Sequence, residues 1–108
     1  MWGDKGFDGP YPISMWNPPH HAAVYAITMK PDPLNMPSSY RILCFGESDN
    51  LSERRFYRSH HKFNCLINYA GSEENFYICI HLMPDSTLVE RKEVESNLID
   101  RYKPVCNY

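Results

Sequence analysis

Glu95 is the residue whose surroundings most strongly indicate chemistry. It begins the pattern E-x-x-L-I-x-x-Y-x-P-x-x-N, which ends at Asn107. Apolar side chains recur at every fourth position of this segment, which predicts a helix with one buried stripe: Val94, Leu98 and Tyr102. Glu95 lies at the edge of that stripe, where a partly desolvated carboxylate needs a positively charged partner. The sequence leaves two partners open: a divalent cation, or Arg91 four residues earlier, in a pair worth only about 0.3 kcal/mol.

A second group with chemical potential is basic. It comprises six residues within nine positions: Arg54, Arg55, Arg58, His60, His61 and Lys62. A planar guanidinium matches the geometry of a phosphate group, and histidine changes its charge near neutral pH. On a helix, Arg54, Arg58 and His61 would share one face, because they are spaced i, i+4, i+7. The group therefore predicts either a local phosphate-binding surface or a solvated helix face.

Three apolar segments must form the sheet that positions these groups. Strands are predicted at residues 23–29, 40–45 and 76–83, each bounded by turn-forming residues. On the second strand, the period-two alternation assigns two faces: Tyr40, Ile42 and Cys44 on one, and Arg41, Leu43 and Phe45 on the other. The expected fold class is α/β of the α+β kind, with a small three-stranded antiparallel sheet flanked by helices.

Helices are expected on either side of the third strand. The first is predicted at about 50–62, after a cap supplied by Ser48, Asp49 or Asn50. A short helical segment at 63–70 ends at Gly71. The last helix begins with a T-x-x-E capping box, formed by Thr87 and Glu90, and ends before Pro104.

In their order, these segments resemble the catalytic domain of the GIY-YIG nuclease family. The family's first motif corresponds to Ala23-Val24-Tyr25, and its second motif to Cys44-Phe45-Gly46. Its helix arginine corresponds to Arg54, its metal-binding glutamate to Glu95 and its terminal asparagine to Asn107. Five elements in this order cover nearly the whole chain, and the resemblance implies a GIY-YIG-like fold.

The resemblance further implies a metal-dependent endonuclease that hydrolyses phosphodiester bonds in DNA. Glu95 would hold one Mg²⁺ (or Mn²⁺), and Arg54 would hold a non-bridging phosphate oxygen. Tyr25, His60 or His61 would orient or deprotonate the attacking water. The nucleic-acid contacts would come from the basic helix: Arg54, Arg55, Arg58 and Lys62. Asn107 is expected to fix a neighbouring segment by hydrogen bonds.

One departure from the family's pattern leaves two functions open. The tyrosine of the second motif, whose hydroxyl lies in the family's active site, is Cys44 here. The chain is therefore expected to be either an active endonuclease or a catalytically impaired domain that binds nucleic acid or a protein partner without cleavage. Because the family's separate recognition domains are missing, a homodimer or a partner protein is a further expectation for DNA recognition.

Length and composition indicate a single compact unit. The chain has 108 residues, of which 43% are hydrophobic and 14% aromatic, which excludes a disordered polypeptide. Residues 1–21, rich in glycine and proline, are expected to form an irregular N-terminal arm without helix or strand. Residues 22–108 are expected to form the single domain. The net charge of −2 excludes a protein that coats nucleic acid indiscriminately.

The four cysteines show no C-x-x-C spacing: Cys44, Cys65, Cys79 and Cys106. Since the sequence shows no signal peptide, a reducing compartment is expected, with all four as free thiols and Cys79 buried. The corresponding prediction for localisation is cytoplasmic. No apolar run approaches the ~20 residues of a membrane span, so no membrane association is expected.

Overall fold

Four antiparallel strands form one sheet in this computed structural model, which describes residues 6–17, 20–29, 41–50 and 63–107. The strands are β1 (Asp8–Pro12), β2 (Ala23–Met29), β3 (Arg41–Ser48) and β4 (Tyr77–Leu82), arranged in the order β1-β4-β2-β3. The helices are α1 (Phe63–Ala70) and α2 (Leu88–Tyr102). The prediction of a small antiparallel sheet with helices is confirmed, whereas the predicted number of three strands is wrong.

The additional strand, β1, comes from the segment predicted to be irregular. Residues 8–12 read Asp-Gly-Pro-Tyr-Pro and pair with β4 at the edge of the sheet, with a register shift between Asp8 and Tyr11. Proline is tolerated in such a position, because one side of an edge strand needs no backbone N–H donor. The prediction of an arm without helix or strand is therefore wrong at residues 8–12, where an edge strand forms despite the glycine and proline content.

Strand β2 is an inner strand of the sheet, and its side chains contribute to two cores, one on each face of the sheet. Its residues from Ala23 to Thr28 are buried, and it pairs with β3 on one side and β4 on the other. Tyr25 and Ile27 belong to a cluster that includes Leu66 of α1, termed the α1-side core. The alternate residues of β2 belong to a second cluster that includes Leu98 of α2, termed the α2-side core.

A β-bulge changes which residues of β3 share a face. The register shifts between two pairs, Ile27 with Cys44 and Thr28 with Ile42, so that Leu43 is the extra residue. Leu43 and Cys44 both pack into the α1-side core, while Ile42 packs with the α2-side core. The face assignment from simple alternation is therefore wrong at these positions.

The helix boundaries agree with the sequence signals. Helix α1 ends at Ala70, and Gly71 follows with a positive φ of 83°. Helix α2 begins with the predicted capping box: Thr87 N–H donates to a Glu90 carboxylate oxygen at 2.8 Å, and Glu90 N–H donates to Thr87 Oγ1 at 3.1 Å. The predicted helix at 50–62 lies outside the described residues.

A disulfide connects α1 to the three-residue 3₁₀ turn Val105–Asn107, termed the C-terminal turn. It joins Cys65 and Cys106, whose Cα atoms are 5.7 Å apart. The prediction of four free thiols is therefore wrong for this pair, whereas Cys44 and Cys79 are buried thiols. A search for short cysteine spacings such as C-x-x-C could not reveal this pair, because the two partners are 41 positions apart.

No helix in the described parts of the chain is long and apolar enough to span a membrane.

Candidate functional site

The predicted site residues fall into two groups in the structure. Tyr25 lies in β2, Glu95 in α2 and Asn107 in the C-terminal turn. The basic group lies outside the described residues: Arg54, Arg55, Arg58, His60, His61 and Lys62. The geometry of the site is therefore built from the three described residues and from their neighbours on β3 and α2.

The first and second motif segments meet at Tyr25 and Gly46. These residues are partners across the β2–β3 ladder, and the end of the Tyr25 ring lies directly over Gly46. A Cβ atom at position 46 would overlap the Tyr25 ring carbon Cζ and the hydroxyl oxygen. Glycine is therefore required at position 46 because of the close approach of the phenol.

Burial keeps the Tyr25 hydroxyl protonated. The residue is 3% exposed, and its pKa is raised far above the ordinary value, chiefly by desolvation and further by Cys44, Glu95 and Glu47. A neutral phenol can donate or accept a hydrogen bond, but it does not supply a phenolate base at neutral pH. Of the two predicted tasks, orienting a water suits Tyr25, whereas deprotonating one does not.

Glu95 is partly desolvated, as its position at the edge of the stripe indicated. Its side chain is 16% exposed, and its pKa is raised by burial and by the neighbouring carboxylate of Glu47, against the opposing effect of Lys92. Its ion-pair partner is the Lys92 ammonium, with 3.8 Å between Nζ and Oε1. Arg91, the partner that the helix spacing offered, pairs with Glu47 instead.

Glu47 is the site residue that the sequence analysis missed. Arg91, with only 6% of its side chain exposed, donates from Nε to Glu47 Oε2 at 2.9 Å. Nη1 of the same guanidinium donates to the Ser86 carbonyl oxygen at 2.7 Å and to its hydroxyl at 3.0 Å. The sequence contained a signal for this pair, because Arg91 lies one helical turn before Val94 on the apolar stripe of α2. An arginine that is buried there requires an acidic partner.

Both carboxylates lie near the same ammonium group. Lys92 Nζ lies 3.7 Å from Glu47 Oε1 and 3.8 Å from Glu95 Oε1. The Lys92 side chain is 55% exposed, so it occupies this position from the solvent side. Magnesium binds in proteins through one or two carboxylates and several waters. Glu95 and Glu47 supply two such carboxylates, and a Mg²⁺ or Mn²⁺ ion between them would have to displace the Lys92 ammonium.

The described surroundings of Glu95 and Glu47 supply no third acidic or histidine ligand. Among the described residues, no group of three or more histidine, cysteine, aspartate or glutamate side chains is placed to hold a metal ion.

Asn107 connects the C-terminal turn to the second motif. Phe45 N–H donates to Asn107 Oδ1 at 2.8 Å, and Asn107 Nδ2 donates to the Phe45 carbonyl oxygen at 3.0 Å. Phe45 stands between Cys44 and Gly46 on β3, an edge strand of the described sheet. The expectation that Asn107 fixes a neighbouring segment agrees with these bonds.

A polar cavity of about 400 Å³ lies beside the Arg91–Glu47 pair. It is formed where β2 begins and where β3 and β4 end, because the antiparallel order brings these three ends together. Its wall includes His20, His21, Asp49, Asp85 and Arg91.

Comparison with known proteins supplies no relative: no family model, curated protein or solved structure matches this chain. The resemblance to the GIY-YIG family therefore stays a prediction, and the function must be argued from the site itself.

Proposed function

We propose that this chain is a metal-dependent endonuclease of the GIY-YIG type, which hydrolyses phosphodiester bonds in DNA. One observation carries the proposal: the Tyr25 hydroxyl lies over Gly46, where it experiences the charges of Glu95 and Glu47. Tyr25, Glu47 and Glu95 come from three segments that are far apart in sequence. The two carboxylates lie near enough to the Tyr25 hydroxyl to raise its pKa. The hydrogen bonds of Asn107, which corresponds to the family's terminal asparagine, connect a fourth segment to Phe45 of the second motif.

Each described residue takes a defined task in this proposal. Glu95, assisted by Glu47, would hold one Mg²⁺ or Mn²⁺ ion, which when bound supplies Lewis-acid stabilisation of charge on the phosphate. Arg91 keeps Glu47 in place through the buried ion pair. Tyr25 donates a hydrogen bond that orients the attacking water. The attack itself requires a base, and His60 or His61 stays the predicted group for that step.

The tasks of the basic helix stay predictions. Arg54 would hold a non-bridging phosphate oxygen, while Arg55, Arg58 and Lys62 would contact the DNA backbone. A homodimer or a partner protein stays the expected source of further DNA-recognition surface. The cytoplasmic location also stays a prediction, and the Cys65–Cys106 disulfide weighs against it, because disulfides persist mainly in oxidising compartments.

A second candidate function is supported by Cys44. The residue is 1% exposed in the α1-side core, so the position that carries the family's second-motif tyrosine presents no hydroxyl to solvent. The Lys92 ammonium also contacts both carboxylates that a metal ion would bind. Both features favour a domain that binds nucleic acid or a protein partner without cleavage.

The test is nicking of supercoiled plasmid by the purified full chain with Mg²⁺ or Mn²⁺. A Glu95→Gln variant removes the carboxylate charge with little change in size, and Arg54→Ala removes the phosphate contact. The matched control is Glu93→Gln, because Glu93 lies on the exposed face of the same helix. Cleavage by the parent and by Glu93→Gln, with loss in the other two, supports the endonuclease.

Other outcomes separate the alternatives. Equal cleavage by all four proteins points to a contaminating nuclease and counts against the proposal. If none cleaves and the parent still retards a labelled duplex, the domain binds without cutting. Cys44→Tyr then asks whether the missing hydroxyl is the cause, since a gain of cleavage in that variant would identify the parent as impaired.

A further inference from the structure

The C-terminal turn is fastened to the rest of the fold by two neighbouring residues. Cys106 forms the disulfide with Cys65 of α1, and Asn107 bonds both the N–H and the carbonyl of Phe45. We propose that the Cys65–Cys106 disulfide is a redox-sensitive latch. Its reduction loosens the turn, withdraws Asn107 from Phe45 and frees the outer edge of β3.

The Asn107 bonds occupy a position that another strand would otherwise fill. In the described sheet, β3 pairs with β2 alone, so the Phe45 backbone groups on its outer side face away from the sheet. A side-chain amide offers one acceptor and one donor, as a residue of a neighbouring strand does. Asn107 therefore covers a short stretch of the outer edge of β3, at the buried residue Phe45.

The disulfide is the strongest restraint on this arrangement. Two neutral hydrogen bonds are weak individually, because water replaces them when they break. Cys106 is fully buried in the α1-side core, but a buried thiol has only its packing to hold it once the bridge opens. The covalent bond to Cys65 removes most of the freedom with which the turn would leave β3.

The chemical step is an ordinary thiol–disulfide exchange with a dithiol reductant. A dithiol thiolate attacks Cys65 Sγ, which belongs to the less buried residue of the pair, and the sulfur–sulfur bond breaks. Cys106 leaves as a thiolate and takes up a proton. The second thiol of the reductant then displaces Cys65 and forms a cyclic disulfide, so two electrons and two protons pass to the protein.

The freed edge belongs to the strand that carries the candidate site. Phe45 is flanked by Cys44 and Gly46, and the next residue is Glu47, the partner of Arg91. A change in β3 would therefore alter the position of Glu47 as well. An effect on DNA cleavage would rest on the proposed function, but the latch itself concerns the backbone of β3 and stands without it.

Amide hydrogen exchange of the ¹⁵N-labelled full chain tests the latch. Protection of the Phe45 amide is compared between the oxidised protein and the protein reduced with dithiothreitol. Ile27, in the central strand, reports global opening. Reduction is expected to lower Phe45 protection by at least about tenfold more than Ile27 protection, because the local contact is released in addition to the loss of global stability that both amides report. An equal loss at both residues, or no loss at either, overturns the proposal.

Three variants make the result specific. Asn107→Ala should lower Phe45 protection in the oxidised protein, and dithiothreitol should then cause no further selective loss. Cys79→Ala keeps the bridge and should respond to dithiothreitol as the parent does. The double variant Cys65→Ala, Cys106→Ala should match the reduced parent. Because Asn107→Ala retains the disulfide, it decides the question even if the double variant fails to fold.

Discussion

Besides its ladder with β2, strand β3 has two adjacent attachments to other elements, and these two differ in kind. At Glu47 it is held to α2 by a buried ion pair with Arg91. At Phe45 it is held to the C-terminal turn by Asn107, next to a disulfide. The first attachment consists of ionisable groups at the edge of a core, whereas the second consists of neutral amides and a covalent bond. The ionisable attachment responds to charge and pH, whereas the covalent one responds to reduction.

Opening the disulfide is expected to have the largest effect on stability. In the chain-entropy model, a bridge between residues 41 positions apart contributes about 4 kcal/mol. The double variant Cys65→Ala, Cys106→Ala should lose about that much free energy of unfolding, measured by urea denaturation at neutral pH. The control is Cys79→Ala, which retains the bridge. A loss smaller than about 1 kcal/mol would show that the turn is held mainly by packing.

Breaking the ion pair on the other side is expected to cost about 3 kcal/mol. Arg91→Met leaves the Glu47 carboxylate partly buried, and among the described residues the exposed Lys92 is its remaining charged partner. The companion variant Arg91→Met, Glu47→Leu should recover most of the loss, because both buried charges are then removed. The comparison is made by urea denaturation. Failure of the double variant to recover stability would mean that Arg91 acts mainly through Ser86.

Adding a side chain at Gly46 tests its close contact with the Tyr25 ring. Gly46 lies between Phe45 and Glu47, the two attached residues of β3. Gly46→Ala should destabilise the protein by about 2 kcal/mol, because the new methyl group overlaps the Tyr25 ring. Adding Tyr25→Leu should offset most of this cost, and the double-mutant cycle measures the coupling. The control is Gly6→Ala, since a Cβ there meets nothing within 4 Å. Additive effects in the cycle would contradict the close approach.

The smallest expected effect concerns the charge of Glu95. Because its pKa is raised in the folded protein, the folded state binds the proton more tightly than the unfolded state does. Glu95 therefore lowers stability as the pH rises through and above the ordinary glutamate pKa of about 4.3. Glu95→Gln removes this contribution, so the stability difference between variant and parent should shift in favour of the variant as the pH rises from below the ordinary glutamate pKa to neutrality. Glu93→Gln serves as the control. A difference that stays constant with pH would show that the Glu95 carboxyl is not desolvated.

Much of the secondary structure followed from local signals. The apolar run 23–29 is β2, the capping box of Thr87 and Glu90 begins α2, and Gly71 follows α1. These signals act within a few residues, through hydrogen bonds to the backbone or through allowed values of φ. Strand β1 was missed because its glycine and proline residues suit an edge strand only when a neighbouring strand is present to pair with it.

The candidate site was less accessible from the sequence. Glu95 was recognised from its place at the edge of a helical stripe, and Tyr25 and Asn107 from their resemblance to a family motif. Glu47 was missed because its partner, Arg91, lies 44 positions away. The bulge at Leu43 was missed for a related reason, since two-residue alternation describes one strand and not its pairing with the next.

The sequence by itself determined where helices and strands begin and end at β2, α1 and α2, because caps, glycine turns and apolar periodicity act over a single turn or strand. The tertiary structure decided which side chains meet: Arg91 with Glu47, Cys65 with Cys106 and Asn107 with Phe45. Those pairs are separated by between 41 and 62 positions, and only the packing of the sheet against its helices brings them within bonding distance.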